Sequence, residues 1–423
     1  MQIIKYPARE DWDAILQRPV LDNSSLKQQV RRVLDDVKGF GDNAINKYTK
    51  QFDGVDLEEF AVTKEEIDEA IGLLSAELRE AIKVAAHNIM TFHGEQLSKI
   101  RIVETMPGVK CWRKSVGIDK VGLYIPGGTA PLFSTILMLV TPAVLAGCRE
   151  IVLCSPPNKE GKLHPAILVS AYITGVSKIY KVGGVQAIAA MAYGTETVPQ
   201  VYKIFGPGNQ YVTCAKQLVQ EDGVAIDMPA GPSEVCVLAD ETAEADFIAA
   251  DLLSQAEHGT DSQVVLICTS SSLMRDVQEQ IAVQLEKLPR KELAAAALKN
   301  SKLILVNDIN EGVALANAYA AEHLILACRQ DEEIADRIVN AGSVFLGNYS
   351  PESVGDYASG TNHTLPTNGF ARMYSGVSVD SFVKKVTFQK LTQEGLKGLA
   401  NTVITMAEAE GLEAHANAVR VRL

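Results

Sequence analysis

Apolar positions recur every three to four residues through the first hundred, as in LKQQVRRVLDDVKGFGDNAINKYTKQFD and AELREAIKVAAHNIMTFHGEQL. That period predicts charged, amphipathic helices over residues 1–106. After Pro107 the texture changes. Short apolar runs bounded by glycine or proline alternate with helical segments, at 120–126, 150–156, 178–183, 201–207, 233–240, 262–269, 302–308, 323–328 and 342–347. Such runs read as strands buried on both faces, the signature of parallel α/β sheets. They are too many for one compact sheet, so two α/β domains are expected, with seams near Lys120 and Ser233. From about Val377 the pattern is mostly helical and too small to bury a core alone, so this tail packs on another domain or another subunit.

Composition narrows the picture. The chain has 423 residues, 47% of them hydrophobic, and a formal net charge of −12. An acidic surface argues against a nucleic-acid binder, but not against a local phosphate pocket. Seven cysteines include no CxxC pair, and several lie in apolar runs such as IVLCSPP and VVLICTS. They read as buried thiols in a reducing compartment. The N-terminus has no signal-peptide core. The longest apolar stretch, 131–148, contains Ser134, Thr135, Thr141 and Pro142. It reads as a buried helix broken at Pro142, not a membrane span. A soluble cytoplasmic protein with no membrane partner is expected.

The candidate chemistry begins at LLSQAEHGTDSQ. Gln255 and His258 are three apart and share a face if the helix continues, and Gly259 is a plausible terminator. A polar pair at a helix end is ordinarily a backbone cap, but it is also half of a metal site. Glu322 and His323 stand where a helix gives way to a strand, as a charged helix end or as a pair serving two proton transfers. The polar loop ESVGDYASGTNHTLPT holds Asp356 and His363, and loops of this kind often line sites. His415 lies in AEAEGLEAHAN with Glu410. Gln255, His258, Asp356 and His415 offer two nitrogens and two oxygens, a set that suits zinc without a thiolate. Three glycine turns follow strands, in IPGGTAPLFS, KVGGVQAIAA and FGPGNQYVT. None matches GxGxxG, but three at one sheet edge would build a ligand crevice. These residues read as an α/β enzyme with a divalent metal and a phosphate-bearing ligand.

VGLYIPGGTAPLFSTILMLVTPAVLAGC, KVGGVQAIAAMAYGTETVP, KIFGPGNQYVT, IDMPAGPSEV, DLLSQAEHG, EHL, AGSVFLGNYSPESVGDYASGTNHTLPT and GLEAHANAV together resemble histidinol dehydrogenase. They follow that family's order from about residue 30 to the C-terminus. The resemblance implies oxidation of L-histidinol through L-histidinaldehyde to L-histidine with two NAD and one water. It implies zinc held by Gln255, His258, Asp356 and His415, with His323 as general base and Glu322 activating water. Ser233, His363 and Glu410 match substrate contacts, alongside the zinc ligands and His323. Tyr124, Gln186 and Asn209 match NAD contacts. Ala321 stands where the family usually has proline, a change that removes no functional group.

The implied fold is α/β, with two incomplete Rossmann-like parallel-sheet domains, small N- and C-terminal helical segments and an intertwined homodimer. In it Glu410 and His415 reach the partner's site, and Gly411 bends the helix that would otherwise splay them. The boundaries expected are 1–22 for an N-terminal segment, 23–119 with 234–376 for the first domain, 120–233 for the nucleotide-side domain and 377–423 for a dimerisation segment. The rivals are a zinc hydrolase on the same metal site, the same fold acting on another alcohol, and a non-catalytic binding protein. The glycine turns and two-domain layout speak against the first, the intact His323, His363 and Glu410 set against the second, and the Glu-His pair beside a metal site against the third.

Overall fold

The computed structural model of the chain describes residues 1–18, 24–127, 131–229 and 231–423. The expected boundary at residue 22 and part of the first glycine turn, at 128–130, lie outside them. Each of the nine apolar runs contains a strand, and their pairings are all parallel. They form two sheets. The smaller has five strands in the order Lys178–Lys181, Glu150–Ser155, Lys120–Tyr124, Lys203–Phe205, Ala225–Ile226. The larger has six, in the order Gln2–Lys5, Lys302–Leu305, Gln263–Cys268, Glu234–Ala239, His323–Ala327, Ser343–Leu346. Leaving out the edge strand Gln2–Lys5, both repeat one winding: the chain starts centrally, steps twice one way, then returns to the other side. This is the doubly wound arrangement, whose crevice lies where the order reverses.

Burial drives the winding. Glu234–Ala239 and Gln263–Cys268 are buried at every position, as strands covered on both faces must be. Helix Ser134–Ala146 is buried along its first ten residues, so its apolar run is spent inside the protein. Among the described residues no helix is long and apolar enough to cross a membrane.

The structure departs from expectation in several places. Helices Ser24–Phe52, Lys64–Leu73 and Ala76–Gly94 pack on the helices of the smaller sheet, and Leu34, Ile45 and Tyr48 share a core with Ile188 and Ile204. The grouping of 23–119 with 234–376 is therefore not how these helices pack. The reason is their apolar faces, which meet helix Gly184–Tyr193 and its neighbours. The N-terminal segment opens with a strand rather than a helix, pairing Gln2–Lys5 with Lys302–Leu305. Val383–Leu391 is likewise a strand, antiparallel to Val109–Gly117, which also pairs with Ile102–Met106. This small sheet is largely exposed, so its alternation lacks the apolar contrast that marks a buried strand.

Pro142 does not break its helix. A proline removes the bond to the carbonyl four residues back, here that of Met138. The Asn362 amide donates to that carbonyl at 2.6 Å and takes the missing partner's place.

Candidate functional site

At the smaller sheet's reversal point, strands Lys120–Tyr124 and Lys203–Phe205 end at a cleft of about 770 Å³. Tyr124, Gly184, Gly208 and Asn209 line it from that sheet, and His258 and Arg290 from the other unit. The three glycine turns thus share one crevice, through Gly127, Gly184 and Gly208. Gly206 turns the chain at φ 123° against the Tyr124 carbonyl, where a Cβ would collide. Lys216, buried, donates to the Gly206 carbonyl at 2.8 Å and pairs with Asp227. Asp227 accepts from the Gly206 N–H at 2.8 Å, so a buried ion pair holds the turn from both sides. Asn209 caps helix Gln210–Glu221, accepting from the N–H groups of Tyr211 and Val212. The Tyr124 hydroxyl accepts from Gly184 N–H at 3.1 Å. Gln186 is fully buried in helix Gly184–Tyr193 and donates to Asp53 at 3.3 Å.

The second cluster forms at the amino ends of the larger sheet's central strands. His323 opens one strand in register with Val235 and Ser343, and Glu322 directly precedes it. Glu322 Oε2 accepts from Glu234 N–H at 2.9 Å and from the Gln255 amide at 3.3 Å. His323 Nδ1 lies 3.2 Å from the Glu234 carbonyl. Its Nε2 lies 3.1 Å from Asp356 Oδ1. Burial opposes charge on His323, but Glu322 and the Asp356 hydrogen bond outweigh it and hold its pKa well above the ordinary 6.5. Burial likewise pushes Asp356 up, yet His323 holds its carboxyl below the usual range. His258 is lowered, chiefly by burial, against the opposing charges of Asp356 and Glu322.

Helix Ala245–Ala256 stops before His258 is reached. The shared helical face expected for Gln255 and His258 is therefore a helix end followed by a turn, with His258 N–H donating to the Gln255 carbonyl at 3.3 Å. Gly259 is not a left-handed cap. His363 bridges Thr135 Oγ1, at 3.0 Å from its Nε2, and the Asp356 carbonyl, at 2.8 Å from its Nδ1. Ser233 sits half-buried at the entry of the strand that starts at Glu234.

The structure brings together Gln255, Glu322, His323 and Asp356, with His258 and His363 around them. It does not bring in Glu410 or His415. Both are exposed, on either side of Gly411, whose φ of 71° separates helix Gln393–Ala409 from Glu413–Arg420. Among the described residues, no three His, Cys, Asp or Glu side chains form a ready metal cage. The seven cysteines are free.

Four contributors were missed in the sequence: Arg18, Glu234, Glu352 and Asp53. Arg18 donates to both carboxylate oxygens of buried Glu234, at 2.5 and 2.9 Å, behind Glu322 and His323. Glu352, buried and bonded to Ser254 Oγ at 2.6 Å, lies behind Asp356. Asp53 lines the cleft. Only Glu234 left a signal, as a charge opening an apolar run in SEVCVLAD.

Two doubly wound sheets, one ending at a glycine-lined crevice and the other carrying a buried Glu-His pair, define an α/β enzyme. The histidinol dehydrogenase family model matches residues 16–423. Histidinol dehydrogenase of Bacteroides thetaiotaomicron is 61% identical over the whole chain and 99% of its own length. The chloroplastic enzyme of Arabidopsis thaliana is 52% identical over 97% of this chain and 88% of its own. The crystal structure of histidinol dehydrogenase from Elizabethkingia anophelis superposes with a TM-score of 0.98, at 54% identity, covering all of this chain and 98% of that one. The chain belongs to the histidinol dehydrogenase family, oxidoreductases of histidine biosynthesis, and histidinol is its substrate. The hydrolase alternative is not favoured.

Proposed function

We propose that the chain carries out a zinc- and NAD-dependent four-electron oxidation of L-histidinol, through L-histidinaldehyde, to L-histidine. One observation carries the metal half. Gln255 Oε1 is buried with no hydrogen-bond partner, while its amide nitrogen donates to Glu322. Such an oxygen costs about 1–3 kcal/mol unless something binds it. Gln255, His258 and Asp356 would supply two oxygens and one nitrogen to zinc, and His415 a second nitrogen. Glu410 and His415, exposed on either side of Gly411, are assigned to the partner's site in a homodimer. Tyr124, Gln186 and Asn209 are assigned to NAD. When bound, zinc orients the substrate's nitrogens and NAD accepts hydride.

The protein's own residues do the proton work. The Glu234 carbonyl, 3.2 Å from His323 Nδ1, accepts the Nδ1 hydrogen, which leaves the lone pair of the neutral ring on Nε2. With zinc in place Asp356 would serve as one of its ligands, and His323 Nε2 would be free to accept the proton of the substrate hydroxyl. Glu322 has Oε2 held by Glu234 N–H and Gln255. Its Oε1 is left to take a proton from the water that adds to the aldehyde, and the resulting diol gives up the second hydride. His363, Glu410 and Ser233 position the substrate. The chain is assigned to the cytoplasm, acting on a small molecule rather than a nucleic acid or membrane.

The test is NADH yield per L-histidinol consumed, with limiting substrate and excess NAD, before and after chelation. Two NADH, lost on chelation and restored by zinc, are expected. One NADH with free aldehyde would sink the role given to Glu322. No NADH from zinc-loaded protein would sink the whole reading.

A further inference from the structure

The strand beside the Glu322–His323 pair begins with a charge that the proposed chemistry does not use. Glu234 is 2% exposed and heads a strand buried at every position. Its backbone serves both members of the pair. The Glu234 N–H donates to Glu322 Oε2 at 2.9 Å, and its carbonyl accepts from His323 Nδ1 at 3.2 Å. The two peptide groups flanking one Cα thus set the aim of the carboxylate and the tautomer of the imidazole. Its side chain is held as firmly. Arg18 forks onto both carboxylate oxygens at 2.5 and 2.9 Å, and Asn368 N–H donates to Oε1 at 2.8 Å. Arg18 is itself fixed by the Tyr319 carbonyl at 2.7 Å, and its Cζ lies 4.2 Å from the centre of the Tyr319 ring. Tyr319 is fully buried, and its hydroxyl donates at 2.9 Å to Gln263, which pairs with Glu234 across the sheet. A polar frame of Arg18, Glu234, Tyr319 and Gln263 therefore stands behind the reacting groups.

A buried ion pair is weak evidence for stability, since apolar residues of similar volume often serve as well or better. Its best-attested use is to fix one geometry among several. Here the geometry is that of the strand's first residue. We propose that Arg18 is a positioning residue for both oxidations: through Glu234 it holds the peptide groups that orient Glu322 and His323. This rests on the roles given to that pair above. Because both groups hang on one residue, a shift of Glu234 misplaces the base of the first step and the water activator of the second together. Misplacement by about 1 Å can cost about a hundredfold in rate while every binding group is still present.

Steady-state kinetics of the full-length, zinc-loaded protein tests this, with L-histidinol and with L-histidinaldehyde as substrate, alongside urea denaturation and zinc content. The proteins compared are the wild type, Arg18→Lys, Arg18→Met and the double variant Arg18→Met/Glu234→Gln. Arg18→Lys keeps a cation beside Glu234 but loses the fork, so it should fold and lose about tenfold in kcat. Arg18→Met should lose about a hundredfold in kcat from either substrate, with KM for L-histidinol within about twofold of wild type and zinc content unchanged. The double variant should regain stability without regaining kcat. If Arg18→Met does not fold, Arg18→Lys and the double variant decide. A purely structural ion pair gives the opposite pattern: kcat per folded molecule returns with stability in the double variant, and Arg18→Lys matches the wild type. Either result overturns the proposal. So does a loss confined to KM, or one that follows loss of zinc. A wild type that does not yield two NADH per L-histidinol overturns the roles of Glu322 and His323 themselves, and this proposal with them.

Discussion

His323 Nε2 lies 3.1 Å from Asp356 Oδ1, and each group holds the other in its charged form. Burial works against the imidazolium, but Glu322 and Asp356 raise its pKa well above 6.5. A group raised on folding contributes stability that is full below about pH 6.5 and is lost as pH rises through the raised value. In metal-stripped protein, Asp356→Asn should move the His323 titration downward in ring-proton NMR. It should also remove part of the stability that wild type loses above neutral pH. An unmoved His323 titration would show that the pairing has no energetic content.

Arg18 forks onto Glu234 at 2.5 and 2.9 Å and also donates to the Tyr319 carbonyl at 2.7 Å. Glu234 is buried, and burial pushes its carboxyl up while Arg18 pulls it down. Removing the cation strands a buried charge, at a cost of about 3–5 kcal/mol. Arg18→Met should lower denaturant stability by that order. Pairing it with Glu234→Gln should return much of the loss. Simple additivity in that double-mutant cycle would mean the ion pair is incidental.

Burial pushes Glu352 up to about 8 and Asp251 up to about 7. Both bind protons in the folded state that the unfolded chain has released, so stability falls as pH climbs from the ordinary carboxylate range through these values. Thermal melts of metal-stripped protein between pH 5 and pH 9 should show that fall. Glu352→Gln keeps the shape and removes the titration, so its curve should be flatter and cross above the wild type at alkaline pH. A parallel curve would place Glu352 among ordinary ionised carboxylates.

The Asn362 amide occupies the Met138 carbonyl that Pro142 leaves unpaired. Asn362→Ala should cost about 1–3 kcal/mol, the price of a buried acceptor without a donor. In a Pro142→Ala background the new backbone N–H can serve that carbonyl, so the same substitution should cost less. Equal cost in both backgrounds, by urea denaturation, would dissociate the two residues.

Much of this fold was legible because nine apolar runs are buried on both faces and carry an uninterrupted signal. The strands that escaped notice lack it. Val383–Leu391 is mostly exposed, and Gln2–Lys5 is an edge strand of four residues. The packing of residues 24–94 was not readable, because an amphipathic helix declares that it has a partner without naming it. At the candidate site, Gln255, His258, Glu322, His323, Asp356 and His363 announced themselves as polar groups in unusual company. Arg18 did not, since nothing local in LQRPV says that its partner lies 216 residues away. Asp53 looked like any charge ending a helix. A cleft wall is a property of the assembled chain.

The pairing of Gln2–Lys5 with Lys302–Leu305, and of Arg18 with Glu234, has a consequence for how the protein is made. Gln2–Lys5 and Arg18 are synthesised long before the segments they pair with. The smaller sheet, complete by Ile226, can close while synthesis continues. The larger sheet must wait for its edge strand's partner and for Ser343–Leu346. Through that interval Arg18 remains a solvated cation on an undocked segment, and the Glu234 pocket stays open until both arrive. Contacts of such sequence separation slow folding and prolong exposure of unpaired strand edges. The Glu322–His323 pair is therefore completed late, once Gln2–Lys5 and Arg18 have docked on segments made far after them.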